Sequence, residues 1–474
     1  MFVLKIIKSG HNNLSMGLTM IFAKTALLPE GWAKDVLVTL DQGRILGVQI
    51  GVQPQGQRVD ILLPAMVNLH SHAFQRAMAG LTEKRGDNGA GAGQDSFWTW
   101  RSLMYKFLAQ LSPHDVQAIA AMVMLEMAEA GYAAVAEFHY LHHAPGGQTY
   151  DHLAEMSERI AAAAEETGLG LTHLPVLYSQ GGCDGRKLTT GQLRFGNDPD
   201  RFARLWDGAA QALRRLPADT VLGVAAHSLR AVCPQGLAMA AGLAPTAPVH
   251  IHVAEQMAEV TEVQAAYGAR PVEWLLNTQP LSDRWCLIHA TQMEPMETEA
   301  MARTGAVAGL CPITEANLGD GIFDGVRFAA AGGIFGIGSD SNVRISLSEE
   351  LRLYEYSQRL AHRGRAMLAT RERSTGRVVY ETACRGGASA GGRAGGAIQA
   401  GLWADLVALD ASGPDLAASQ GDTILDTFVF AGDDRMVAEV WSAGRHIVTA
   451  GRHAKGKAIR AAYARVMLRL RNTL

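Results

Sequence analysis

Eight short apolar runs, each followed by a longer stretch with helical spacing, constrain this chain more than any other feature. They are ILLPAMVNLH (61–70), GYAAVAEFHY (131–140), LGLTHLPVLY (169–178), VLGVAAHS (221–228), PVHIHVAE (248–255), WCLIHA (285–290), GAVAGLC (305–311) and GIFGIGSD (333–340). Near-continuous apolar runs of this length are how parallel strands covered on both faces are written. The segments between them carry helical periodicity. SPHDVQAIAAMVMLEMAEAG (112–131) opens with a Ser N-cap signal and repeats apolar residues at helical spacing. Eight β/α units between residues 65 and 395 predict a (β/α)8 TIM-type barrel, an α/β fold. The alternative is a doubly wound open sheet, and no GxGxxG follows the first strand to support it.

The two ends of the chain resemble each other more than they resemble the middle. TMIFAKTALL, DVLVTL and RILGVQIG precede residue 64, and ADLVALD, DTFVFAG, MVAEVWSAG and RHIVTAG follow residue 396. All read as short strands separated by turn residues. Residues 1–64 and 396–474 are therefore expected to join as one small β-sandwich domain with a terminal helix, the first 20 or so residues being a loosely ordered extension in which Met16 and Met20 are alternative starts. Two glycine-rich segments, GDNGAGAG (86–93) and CRGGASAGGRAGG (384–396), lack a GK[ST] ending. They are expected to be flexible loop and linker, with no phosphate to cradle.

Several function classes drop out early. A net charge of −3 without a basic block argues against nucleic acid as a partner. Apolar stretches are short and interrupted, as by Lys5 and Lys8, which predicts neither a membrane span nor a signal peptide. Five scattered cysteines without a CxxC read as reduced thiols in a cytoplasmic protein, Cys311 lying near a strand end.

In a parallel barrel the C-terminal ends of the strands carry the chemistry. Strand one ends in His70 and His72, which face the same way because residues i and i+2 share a strand face. Strand four ends in His227, with Arg230 following. Strand five ends in His250, His252 and Glu255, strand six in His289 and strand eight in Asp340. A lone HxH is a weak signal, since a histidine on an apolar strand is usually a hydrogen-bonded core residue. Histidine or carboxylate at five of eight strand ends is a much stronger one. Each buried imidazole needs a partner to offset its desolvation, and a shared divalent cation satisfies several together.

HSH on strand one, HVAE on strand five, IHA on strand six and GSDS on strand eight resemble the amidohydrolase superfamily over nearly the whole chain. That resemblance implies one divalent metal, most readily zinc, held by His70, His72, His252 and Asp340. It selects His252 over His250 because the spacing to Glu255 matches the superfamily's HxxE, leaving His250 as a deeper barrel-filling residue. Two-metal members bridge their ions with a modified lysine on strand four. No lysine lies between Lys187 and Lys455 here, so a one-metal site is expected.

NLHSHAFQRAMAGLTE, DSFWTWR, AVAEFHYLHH and HSLRAV together look like the formimidoylglutamate deiminase family. This closer resemblance implies hydrolysis of N-formimino-L-glutamate, a small substrate with two carboxylates, to N-formyl-L-glutamate and ammonia in histidine degradation. Arg101 and Arg230 are then candidates to clamp a carboxylate each through paired hydrogen bonds. Gln75, Tyr140 and His227 complete the grip. His289 and Asp340 are placed to accept the proton of the attacking water, and Glu255 to protonate the departing nitrogen. Trp98 and Trp100 are read as lid anchors, and His139, His142 and His143 as supporting or loop residues. Members of the family are commonly homodimers, though no residue here bears on that. Two rivals remain: another one-metal aminohydrolase acting on guanine, an adenosine-like compound or a triazine, and a metal-free binding or scaffold relative.

Overall fold

The computed structural model describes residues 18–81, 83 and 104–472. Each of the eight predicted runs contributes to a parallel barrel. The strands are Met66–Ser71, Tyr132–His139, Gly170–Leu177, the pair Val221–Leu222 and Val224–Ala226, Val249–Val253, Trp285–His289, Val307–Leu310 and Ile334–Ile337. They pair in that order, every pair parallel. The ring closes where Ser71 bridges Asp340. The first run is split at Pro64 and Ala65: Gln57–Pro64 belongs to a different sheet, and the barrel strand starts at Met66.

Helices cover the outside, and several start where a side chain satisfies one of their first amides. Pro113–Glu129 begins at Ser112, whose hydroxyl accepts from the Asp115 amide while Asp115 accepts from the Ser112 amide. The last covering helix, Thr375–Ala390, takes in half of the glycine-rich segment expected to be a loop. Its glycines are a packing device. A Cβ at Gly386 would collide with the Phe335 carbonyl, and one at Gly387 would stand 2.8 Å from the Val67 carbonyl. The helix can therefore lie directly on strands eight and one. The segment 86–93 lies outside the described residues, as does the expected extension up to residue 17.

The two chain ends meet in one eight-stranded sheet. Strands Thr19–Leu28, Gly31–Asp41, Arg44–Ile50 and Gln57–Pro64 join Leu406–Leu409, Val437–Ser442, Arg445–Thr449 and Arg452–His453. Its edge strand Arg44–Ile50 returns to hydrogen-bond the segment that leads into Leu406–Leu409 (Ile45 amide to Leu402 carbonyl, 2.9 Å; Gly401 amide to Ile45 carbonyl, 2.8 Å). The sheet thus curls over a core of Ile21, Val36, Val38, Leu62, Leu406 and Trp441. DTFVFAG, expected as a strand, is helix up to Phe430. Within Asp422–Phe430 the buried residues are Ile424, Leu425, Phe428 and Val429, a helical spacing that the run FVF hides. The chain ends in the helix Gly456–Arg471. Among the described residues no helix is long and apolar enough to cross a membrane.

A candidate metal-dependent active site

The closure of the barrel builds the site. The His72 amide donates to the Asp340 carbonyl and the Asp340 amide to the His70 carbonyl, both at 2.9 Å. These bonds bring the Asp340 carboxylate to the two imidazoles, with Oδ1 3.2 Å from Nε2 of His70 and 3.1 Å from Nε2 of His72. From strand five, Nε2 of His252 lies 3.0 Å from that of His70 and 3.3 Å from that of His72. A buried polar network holds the closure. Asn68 donates to Ser339 (2.7 Å), Ser339 to Asn342 (2.6 Å) and Asn342 to Ser71 (3.1 Å).

The tautomers show what this cluster is for. Nδ1 of His72 faces the Phe138 carbonyl at 3.0 Å, and Nδ1 of His252 faces the His227 carbonyl at 2.9 Å. A carbonyl can only accept, so both Nδ1 atoms carry the proton. The two Nε2 lone pairs are then left pointing at each other 3.3 Å apart. Burial pushes His70 down to about 3 and His252 well below its usual value, so both rings are neutral. Burial acts upward on Asp340, but its close contacts with the His70 and His72 imidazoles hold it well below the usual carboxylate range. Neutral imidazoles with converging lone pairs beside an ionised carboxylate form a cation-binding set. A tetrahedral ion with bonds of about 2.0 Å separates its ligands by about 3.3 Å, which matches the spacings here. The backbone carbonyls behind His72 and His252 are the usual outer partners of metal-bound imidazole. The residues fit a zinc-like ion.

His289 lies at the edge of this set, its ring stacked on His252 with centroids 5.6 Å apart. Burial opposes charge on it, but Glu255, a hydrogen bond to Glu315 and Asp340 raise its pKa to about 10. Its Nε2 is 3.8 Å from Glu255 and its Nδ1 is 3.3 Å from Glu315. One donor atom each from His70, His252, His289 and Asp340 falls within 4.8 Å of the others, so His289 is also within reach of a shared ion. His250 behaves as expected of a barrel-filling residue, its Nε2 bonded to the Ala390 carbonyl at 2.8 Å. His142 and His143 hydrogen-bond Val176 and Asn197, away from the cluster, and His139 packs on His173.

The strand ends also carry backbone strain. Ala254, His289, Ala290, Asp340 and Asn342 all have φ between 45° and 68°. Non-glycine residues adopt this region at a cost, and clustering at one rim marks a site held in shape by its surroundings.

A cavity of about 380 Å³ opens over the cluster. Gln75, Tyr140, His227 and Arg230 line it together with Glu255, His289 and Asp340. The Gln75 amide donates to the Tyr140 hydroxyl at 2.8 Å. Arg101, Trp98 and Trp100 lie outside the described residues. Sequence reasoning missed Arg186, Tyr178, Gln192 and Glu262 on the same wall, and Glu315 and Glu259 behind it. The two glutamates Glu259 and Glu262 left a trace, being one turn apart on the helix after HVAE. Arg186 left none.

The amidohydrolase family model matches residues 61–447. The chain belongs to the amidohydrolase family. Within this amidohydrolase, residues 18–58 match the N-terminal domain model of formimidoylglutamate deiminase HutF. The chain is 48% identical over 456 residues, 95% of its length, to a formimidoylglutamate deiminase from Pseudomonas aeruginosa, covering 99% of that protein. It is 27% identical over 398 residues, 81% of its length and 82% of the relative's, to a 5-methylthioadenosine/S-adenosylhomocysteine deaminase from Natronomonas pharaonis. The crystal structure of an amidohydrolase from Brucella melitensis superposes with a TM-score of 0.91 at 48% identity, covering 95% of this chain and 99% of the other.

Proposed function

We propose that this amidohydrolase hydrolyses N-formimino-L-glutamate to N-formyl-L-glutamate and ammonia. The observation that carries the reading is the likeness, across 95% of the chain, to a protein named for that reaction. The pocket agrees with it, since Arg230 stands in the same cavity as the His/Asp cluster. An arginine there suits an anionic substrate better than a flat, neutral purine or triazine.

His70, His72, His252 and Asp340 are the residues we assign to one divalent ion, with zinc suited to a donor set of three imidazoles and one carboxylate. Bound there, the ion supplies Lewis-acid activation of the attacking water. The chain's own groups manage protons and position. Asp340 accepts the proton of the water as its oxygen bonds to the formimino carbon, and His289 beside it, held protonated by Glu255 and Glu315, stabilises the negative charge that develops on that oxygen. Glu255, buried beside His289, delivers a proton to the nitrogen that leaves as ammonia. The sum is one water added across the C=N bond and one ammonia lost. Arg230, His227, Tyr140 and Gln75 hold the substrate, with Arg101 assigned a carboxylate as well. Five free cysteines fit a reducing, cytoplasmic setting.

The test is ammonia release by the zinc-loaded protein from N-formimino, N-guanidino and N-carbamoyl derivatives of glutamate, with guanine and 5-methylthioadenosine alongside. Turnover of the N-formimino compound well above all others is expected. Preference for a purine would replace this reading with that of a nucleobase or nucleoside deaminase.

A further inference from the structure

A second arginine stands in the pocket at a place the sequence did not flag. Arg186 lines the same cavity as Arg230, on the loop that follows strand three. Its position is built. A Cβ at Gly182 would overlap the Arg186 guanidinium, so the glycine makes the room in which that group lies. The guanidinium is held at 2.9 Å by Asp184 and at 3.1 Å by Glu262. The loop is pinned in turn. The Cys183 amide donates to Glu262 at 3.0 Å, and the Cys183 thiol to the carbonyl of Leu229, next to Arg230, at 3.6 Å.

Both pocket arginines are served by one helix. Met257–Tyr267 follows strand five, and Glu259 and Glu262 sit on it three residues apart, on one face. Glu259 is fully buried and lies 3.8 Å from Arg230, while Glu262 faces Arg186. Each guanidinium thus has a fixed carboxylate behind it and an open side toward the cavity. Arg230 is the inner of the two, its side chain 11% exposed, and Arg186 the outer, at 53%. The Asp184 partner of Arg186 is itself 63% exposed. A pair that exposed is weak and gives way at little cost when a better-placed anion arrives.

Resting on the proposed reaction, we infer that Arg186 is a specificity-determining residue that binds the substrate carboxylate farther from the formimino carbon. Glu262 positions it, as Glu259 positions Arg230. The substrate then lies along the line from the metal cluster past Arg230 to Arg186. Exchange of the Asp184 contact for the substrate carboxylate keeps the guanidinium paired throughout. The site thereby distinguishes a dicarboxylate from a monocarboxylate by a contact at the cavity mouth.

The experiment compares N-formimino-L-glutamate with N-formimino-L-glutamine, whose distal group is a neutral amide of the same shape. In the parent enzyme the ratio of kcat/KM for the two substrates is expected to favour the glutamate compound by about tenfold or more, the worth of one charged hydrogen-bonding contact. Arg186→Met brings that ratio close to one, mainly through KM, and Arg186→Lys restores part of it. Glu262→Gln lowers it less, since the arginine remains but is loosely held. A parent ratio near one, or a ratio that survives intact in Arg186→Met, overturns the inference; the second result would arise if Arg101 alone reads the distal carboxylate. A parent enzyme that hydrolyses neither compound sinks the proposed reaction itself, a result separate from the failure of Arg186. Circular dichroism of each variant confirms that the fold is kept.

Discussion

Arg393 offers the sharpest test of how the two parts of this chain are held together. It follows the helix Thr375–Ala390 and is buried, with its side chain 1% exposed. It donates to both oxygens of Asp405 (2.6 and 2.8 Å), to Asp219 Oδ2 (2.8 Å) and to the Asp219 carbonyl (2.8 Å). Asp405 leads into the curled sheet, whereas Asp219 leads into barrel strand four. In Arg393→Met, Asp219 keeps Arg445 at 2.7 Å, but among the described residues the Asp405 carboxylate keeps only the Ala443 amide at 2.7 Å. One buried carboxylate is then left without a cation. Breaking a buried pair in this way costs about 3–5 kcal/mol. At about 1 °C per kcal/mol for a chain of this size, the melting midpoint should fall by roughly 3–5 °C. The assay is thermal unfolding at one fixed scan rate, because large chains tend to unfold irreversibly. A double variant, Arg393→Met with Asp405→Leu, removes the stranded charge and should recover part of the loss. Arg393 packs by Gly170, at the opposite end of the barrel strands from the site, so kcat/KM at 25 °C should not change. A single variant melting within about 1 °C of the parent, or a double variant no better than the single, would refute the reasoning.

Three further expectations concern the site and the response to acid. Glu255→Gln should keep its metal, measured by elemental analysis, while turnover falls by about a hundredfold or more; unchanged turnover removes Glu255 from the mechanism. His70→Ala should lose both metal and activity, and a variant purified with full metal content shows that the ligand assignment is wrong. Burial pushes His173, hydrogen-bonded to Ser157 at 2.9 Å, from 6.5 down to about 3. Between those values only the unfolded chain takes up this proton, so the contribution is complete above about pH 6.5 and is lost as pH falls toward 3, at about 1.4 kcal/mol per pH unit. His173→Gln should therefore lose about 2 kcal/mol less stability than the parent between pH 7 and pH 5 in urea unfolding; equal losses place the acid sensitivity elsewhere.

The barrel was legible because a strand buried on both faces has to be apolar throughout, and because eight such runs leave few topologies. Its polar exceptions were legible for the same reason. An imidazole at the end of WCLIHA or PVHIHVAE stands out against a background that excludes it. What stayed hidden has other physical causes. FVF in Asp422–Phe430 suits strand or helix equally, and only the burial of Ile424, Leu425, Phe428 and Val429 decides it. The glycines of CRGGASAGGRAGG look like linker because composition cannot tell freedom from close approach; Gly386 and Gly387 are there because backbone lies against them. Arg186 escaped notice because a loop arginine resembles a solvated one until Gly182 and Glu262 are seen around it.

The rim of the barrel explains why residue spacing alone could not fix the ligand set. Period-two alternation sends His70 and His72 the same way, but it says nothing about Asp340, three residues beyond the last residue of its strand. Asp340 arrives through its left-handed backbone (φ 45°) and the two closing hydrogen bonds with strand one. His289 likewise has φ 68° at the end of its strand, where simple alternation no longer governs the side chain. Such conformations cost of order 1–3 kcal/mol each and persist only where the surroundings impose them. At Asp340 the imposing elements are visible: the Asn68–Ser339–Asn342–Ser71 network and the barrel closure itself. The same contacts that shut the barrel therefore hold the carboxylate against the imidazoles, so that closing the fold and assembling the cation-binding cluster are one structural event.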